Sequence, residues 1–242
     1  MKIGCIIPAR FGSTRLPGKP LKDIMGKPMI QRVYERVQEA KRPDVVIVAT
    51  DDERVYEAVK AFGGEVMMTS SNHLTGTDRL AEVAKAHAEL DVIINVQGDE
   101  PLMDAALIDA LAYYFESPNH GPMVTASSPL LEEEYDNPAS VKVVTKCNGD
   151  ALYFSRSCIP YRRNDVVVPR KHVGIYGYER EFLLTYATME PTPLELTESL
   201  EQLRALENGY TIHVIPTEHN FVGVDTPEDL ERVREIFAVE GK

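Results

Sequence analysis

The sequence has no apolar run approaching the eighteen or so residues that a bilayer-spanning helix requires, which excludes a helical integral membrane protein and leaves a soluble one as the expectation. Cysteine is scarce. Cys5, Cys147 and Cys158 are odd in number, far apart and without metal-ligand spacing, so neither a disulfide framework nor a zinc site is expected, and a reducing cytoplasm suits them. The first residues carry no export signal, because Arg10 arrives before an apolar core can build. Positive charge is outnumbered as well: 26 Lys and Arg stand against 38 Asp and Glu, a formal charge of −12. A chain so acidic is not built to bind nucleic acid or an anionic membrane, both of which need clustered cations. Internal repeats and low-complexity tracts are absent. Two nucleotide-binding fingerprints are missing too. Five residues rather than four separate Gly12 from Gly18, and Pro20 follows Lys19 where a Walker A loop has Ser or Thr; no Gly-x-Gly-x-x-Gly occurs. A P-loop kinase and a dinucleotide-dependent dehydrogenase are thereby disfavoured.

What remains is ordinary globular composition, 43% apolar and 26% charged over 242 residues, enough for a full core. The pattern along the chain alternates strand and helix. Residues 2–9 and 45–50 read as buried strands, 65–68 as a short one, and 92–96 as a continuous apolar run fit for a parallel strand covered on both faces. Helical spacing follows at 29–37, 52–62, 78–88 and 104–115. This predicts an α/β chain with a mostly parallel, doubly wound sheet. After Pro118 the rhythm changes to strands at 124–128, 141–145 and 151–154 without helices, then a charged loop at 161–170 and a strand at 173–176. A helix at 195–207, a strand at 211–215 and a last helix from 227 to about 237 complete the chain. We read residues 1–242 as one domain in which about 120–215 form an inserted β-rich subdomain.

Against the acidic background one loop is cationic: Arg10, Arg15, Lys19, Lys22 and Lys27 face a single acid, Asp23, just after the first strand. Ligands of open α/β sheets bind at that edge. Gly12 and Gly18 permit close backbone approach, Ser13 and Thr14 offer donors, and the cations match a triphosphate. A carboxylate, Asp99, stands after the apolar strand ending at Val96. It suits a magnesium ligand beside phosphates, or equally a turn and helix cap. In Gly223-Val224-Asp225-Thr226-Pro227-Glu228-Asp229, the residues Thr226, Pro227 and Asp229 are explained by starting a helix, whereas Asp225 is not needed for the cap. Thr75-Gly76-Thr77-Asp78-Arg79 enters a helix whose amides suit a base edge or phosphate, and capping alone also explains it.

Taken in order, the loop at 8–21, Gly26-Lys27-Pro28-Met29-Ile30, Thr75 to Arg79, Asn95-Val96-Gln97-Gly98-Asp99-Glu100-Pro101, Ala151-Leu152-Tyr153-Phe154-Ser155-Arg156, Lys171-His172-Val173-Gly174-Ile175-Tyr176-Gly177-Tyr178, Leu200-Glu201-Gln202-Leu203-Arg204 and Gly223 to Leu230 resemble the 3-deoxy-manno-octulosonate (Kdo) cytidylyltransferases over nearly the whole chain. The resemblance implies a Rossmann-like nucleotide-diphospho-sugar transferase fold with the inserted subdomain serving dimerisation, a cytoplasmic homodimer, and a role in lipopolysaccharide synthesis. It implies that Pro8, Ala9, Arg10, Ser13, Arg15, Lys19, Thr75, Gly76 and Arg79 bind CTP, and that Asp99 and Asp225 hold Mg2+. Lys19, Arg15 and the two aspartates would then be catalytic. Gln97, Arg156, His172, Tyr176, Glu201 and Gln202 would bind the acidic eight-carbon sugar, with Arg156 on its carboxylate. The implied reaction is in-line attack of the anomeric hydroxyl on the α-phosphorus of CTP with loss of pyrophosphate. Transfer to the 8-amino relative of Kdo or to sialic acid, and a non-catalytic nucleotide sensor, are the competing readings. The chain departs from the family pattern at Leu74-Thr75 and at 219–222, and the second departure bears on how the far end of the sugar is held.

Overall fold

The computed structural model describes residues 1–12, 15–164, 166–219 and 221–240, with residue 240 by its backbone alone. Strand β1 (Ile3–Ala9) lies at the centre, because a run of apolar residues buried on both faces has no other place to go. It pairs in parallel with β4 (Val45–Thr50) on one side and with β6 (Val92–Asn95) on the other, and β4 pairs in parallel with β5 (Glu65–Met68). Three crossover helices link them: α1 (Met29–Gln38), α2 (Glu53–Ala61) and α3 (Gly76–Ala86). Helix α4 (Ala105–Tyr114) leads from β6 to β7 (Met123–Pro129). A two-strand hairpin, β2 (Asp23–Ile24) with β3 (Lys27–Pro28), packs before α1 and does not show in the apolar pattern.

The sheet order is β11-β7-β10-β6-β1-β4-β5, with β11 (Ile212–Pro216) at one edge. β10 (Arg170–Glu179) is antiparallel to both β6 and β7, and β11 is parallel to β7, so β10 alone on this path runs against the others. The expectation of a mostly parallel α/β sheet holds. The 120–215 region is woven into it differently from a separate β unit: β7, β10 and β11 join the central sheet, and only β8 (Lys142–Thr145) with β9 (Ala151–Ser155) projects as a hairpin from β10.

Two apolar clusters cover the two faces. One joins β1, α1, α4 and the last helix, α8 (Pro227–Glu240), through residues such as Ile7, Val33, Leu111 and Val233; the other joins β6, α3 and α5 (Arg180–Tyr186) through Ile93, Leu80 and Leu183. Alternation on β6 sends Val92 and Ile94 to the first cluster and Ile93 to the second. Helix α5 was not legible in the sequence. The helix expected at 195–207 is two short ones, α6 (Pro193–Glu198) and α7 (Leu203–Glu207), because Ser199 takes a left-handed conformation, φ 52°. Arg204 reaches back across that break to the buried Glu195, so the two pieces stay clamped together.

Candidate active site

β1 and β6 are neighbours, so the turns that follow Ala9 and Asn95 emerge side by side at the carboxyl edge of the sheet. They approach closely: a Cβ on Gly98 would lie 2.7 Å from the Pro8 carbonyl oxygen, which restricts position 98 to glycine. The chain entering α8 closes the third side. The Val224 amide donates to the Asp99 carbonyl at 2.9 Å, tying the two aspartate-bearing turns together. The Asp229 carboxylate accepts from the amides of Asp225 and Thr226 and caps α8, so the Asp225 side chain is released from the capping task.

These turns bring Asp99 and Asp225 to one point, 126 residues apart in sequence though they are. Lys19 Nζ donates to Asp99 Oδ2 at 2.8 Å and to Asp225 Oδ1 at 2.9 Å, and Arg15 Nη2 lies 3.1 Å from the same Asp225 oxygen. Burial works against the Lys19 charge, but the two carboxylates outweigh it and hold the ammonium above its usual range. The cleft around this cluster, about 420 Å³, is lined by Pro8, Ala9, Arg10, Arg15, Lys19, Gly76, Gln97, Asp99 and Asp225 among others. Its three cationic side chains exceed its two acidic ones, so the cleft favours an anion. Ser13 lies outside the described residues.

Opposite the turn after β1, Thr75 and Asp78 form a capping box that starts α3, fixing Gly76 at the cleft wall with its first-turn amides facing outward from the helix end. Arg10 donates to the carbonyls of His73 at 3.0 Å and Leu74 at 3.2 Å, linking the cationic loop to this one. Arg79, expected beside the base or ribose, is fully buried. Its guanidinium bonds Asp51 Oδ2 at 2.8 Å and the Thr69 hydroxyl, so it anchors α3 to the end of β4 and lines neither cavity.

A second cavity of about 260 Å³ adjoins the first and shares Gly76 and Gln97 with it. Tyr176, Glu201 and Gln202, three of the residues implied for the sugar, line it together with Thr77, Asn95, Met123, Tyr178 and Tyr186. The break at Ser199 is what turns Glu201 and Gln202 toward it: a continuous helix would carry them round its axis. Burial, opposed by the Thr77 hydroxyl and by Arg204, holds the Glu201 carboxyl above its usual range.

Two other expected sugar residues stand apart from this cavity. Arg156 lines neither space; its guanidinium donates to the carbonyls of Glu198 at 2.7 Å, Pro138 at 3.0 Å and Ser199 at 3.3 Å. Beneath it the buried Lys142 ammonium donates to the carbonyls of Asn137 and Arg156. His172 packs its ring against Phe154 and Tyr176 and places Nε2 3.0 Å from the Thr125 hydroxyl. That hydroxyl donates to the Ile175 carbonyl at 2.7 Å, so its one proton is committed and His172 Nε2–H is assigned as the donor. Burial pushes the imidazole down to about 4. His172 borders a third space, lined also by Glu100, Ser128, Lys171 and Gly223. Burial, with Asp99 and Asp225 close by, raises the Glu100 carboxyl to about 8. Glu100, Asn95, Tyr178 and Tyr186 had no role in the sequence reading. The two tyrosines follow β-strand and helix spacing that looks like core, and Asn95 interrupts an apolar run, which was the one available signal.

A family model for cytidylyltransferases matches residues 4–212. The chain is 54% identical to the 3-deoxy-manno-octulosonate cytidylyltransferase of Geobacter metallireducens, covering 97% of each chain, and 53% identical to that of Fusobacterium nucleatum, covering 96% of each. Among solved structures it superposes with a TM-score of 0.95 on a CMP:2-keto-3-deoxy-manno-octonic acid synthetase complexed with CTP, at 46% identity over 99% of this chain and 100% of that one. With sequence and fold agreeing over nearly the full length, the chain belongs to the 3-deoxy-manno-octulosonate cytidylyltransferase family.

Proposed function

We propose that this protein transfers CMP from CTP to the anomeric hydroxyl of 3-deoxy-D-manno-octulosonate, releasing pyrophosphate, and so supplies activated sugar for lipopolysaccharide. The observation that carries the proposal is the pair of adjoining cavities: a cation-lined cleft with two convergent carboxylates, and a hydroxyl- and carboxamide-lined space reached across Gly76 and Gln97. Phosphate and sugar would therefore meet beside Asp99 and Asp225.

Arg10, Arg15 and Lys19 offset the triphosphate charge, and the α3 amino terminus at Gly76 offers amides on the facing wall. The donor set fits Mg2+: two carboxylate oxygens already face one cationic atom, Lys19 Nζ, and no third acidic or histidine ligand converges with them among the described residues. Such a site leaves most positions to water and phosphate, as Mg2+ prefers over an all-protein cage. Held by Asp99 and Asp225, the ion would supply Lewis-acid polarisation of the reacting phosphoryl group. The part of the protein is orientation and charge. Lys19 holds the two carboxylates together, Gln97 borders both substrates, and Tyr176, Glu201 and Gln202 receive the sugar hydroxyls. Arg156, whose guanidinium bonds run to neutral carbonyls, is proposed for the sugar carboxylate.

A cytoplasmic homodimer completes the proposal. No helix among the described residues is long and apolar enough to cross a membrane. Supporting a dimer, Tyr161, Val166, Val167 and Val168 are exposed together, and Val167 and Val168 border an apolar groove of about 480 Å³ beside β8, a strip that a lone subunit would leave in water.

Pyrophosphate release tests the activity, with CTP, UTP, ATP and GTP each offered against Kdo, 8-amino-Kdo and sialic acid, with and without Mg2+. Turnover is expected with CTP, Kdo and Mg2+ together. CTP binding without turnover on any sugar would replace the proposal with a nucleotide sensor.

A further inference from the structure

We infer that Asn95 is a specificity-determining residue, its carboxamide reading a hydroxyl of the bound sugar. The inference rests on the assignment of the second cavity as the sugar pocket. The strand β6 explains why the residue is unexpected. Val92, Ile93, Ile94 and Val96 are all buried aliphatics, and at position 95 the pleat directs the side chain to the face of Ile93, where an aliphatic would extend the core. Asn95 is instead a carboxamide only 4% exposed, and its Oδ1 has no hydrogen-bond partner. A polar atom left so, buried at the end of an apolar strand, is destabilising, so its presence there calls for an occupant that satisfies it.

The surroundings define that occupant. Glu201 Oε1 and Gln202 Nε2 line the same cavity and are also buried without partners. Three residues that each bury an unpartnered polar atom, two acceptors and one donor, thus line a space of about 260 Å³ whose other lining residues include Tyr176, Tyr178 and Tyr186. A carboxylate or phosphate placed here would face the Glu201 carboxyl and the Asn95 carbonyl oxygen, both acceptors. A diol fits, since each hydroxyl donates one bond and accepts others. The acidic sugar therefore enters with its hydroxyl-bearing portion in this cavity and its carboxylate turned away from it. Asn95 is paired with Tyr176 across the β6–β10 ladder, stands two residues before Gln97 and lines the same cavity, so it meets the ligand next to the residue that borders both cavities.

The test uses Asn95→Leu and Asn95→Ala in the full chain, with Kdo and its monodeoxy analogues at saturating CTP. Asn95→Leu is expected to raise the KM for Kdo ten- to a hundredfold with the KM for CTP unchanged, and to equal wild type against the one analogue that lacks the hydroxyl read by Asn95. It is also expected to raise Tm by roughly 2–4 °C, because an aliphatic replaces an unsatisfied amide in an apolar strand; a residue kept for structure would lower it. Asn95→Ala reads the same KM split without added bulk. A Kdo KM within twofold of wild type, an equal penalty on every analogue and on CTP, or loss of folding in both variants would overturn the inference. Absence of turnover by the wild-type protein on every sugar would instead bring down the assignment of the cavity itself.

Discussion

Asp225 shows how a single side chain acquires a role from its neighbours. Asp229 serves the helix cap, which leaves the Asp225 carboxylate free to face Lys19 and Asp99. Asp225→Asn keeps the shape but removes the charge that Lys19 pairs with and that the proposed Mg2+ would use. It should lower kcat by at least about a hundredfold while CTP affinity falls far less, read by pyrophosphate release and calorimetry. His172 gives a second residue-scale expectation. Its imidazole is held near 4 when folded and titrates near 6.5 when unfolded, so between those values the unfolded chain binds the extra proton. The stability this site contributes is present above about pH 6.5 and is lost as pH falls through 4, by up to about 3 kcal/mol. Glu100 and Lys171 border the same space and Thr125 accepts its Nε2–H. Urea unfolding from pH 7 to 4 should show this slope in the wild type and a shallower one in His172→Gln; equal slopes would remove His172 from the cause.

At the level of elements, the site is made by three turns and one helix start. Gly98 allows the turns after β1 and β6 to approach within contact of the Pro8 carbonyl. In Gly98→Ala the added methyl meets backbone, which cannot swing aside as a side chain can, so the Asp99 turn must move away from Lys19. We expect a loss of tenfold or more in kcat/KM and a lower Tm, whereas Gly76→Ala, with open space around its Cβ position, should keep its fold. Unchanged kinetics in Gly98→Ala would mean that the close approach is dispensable. Much of this level was legible in sequence. The buried strands 2–9 and 92–96 and the Thr226–Asp229 cap follow from apolar runs and capping chemistry. Helix α5 and the break at Ser199 were not, because tertiary packing overrides local propensity there: Arg204 and Glu195 hold two short helices that isolated sequence would join.

Across the whole molecule, a single antiparallel strand, β10, joins the parallel strands β6, β1, β4 and β5 to β7 and β11. It carries His172 and Tyr176, so one continuous sheet supports the cleft and the cavities beside it, and the protruding β8–β9 hairpin is left at the edge with the exposed apolar strip. If a second copy covers that strip, Val167→Asp combined with Val168→Asp should shift the native mass measured by light scattering from two chains to one, with turnover on Kdo largely kept. A wild-type protein of one-chain mass at micromolar concentration would defeat the dimer.

By itself the sequence determined the cationic loop in an acidic chain, the α/β alternation and the two candidate carboxylates, because charge, apolar period and capping are local properties that any reader of the chain can count. Only the tertiary structure decided that Lys19 binds both Asp99 and Asp225, that Arg79 is an internal anchor, and that Asn95 faces a cavity. Those outcomes depend on which turns the sheet order brings together and which way the pleat points, and neither is encoded within reach of the residue itself.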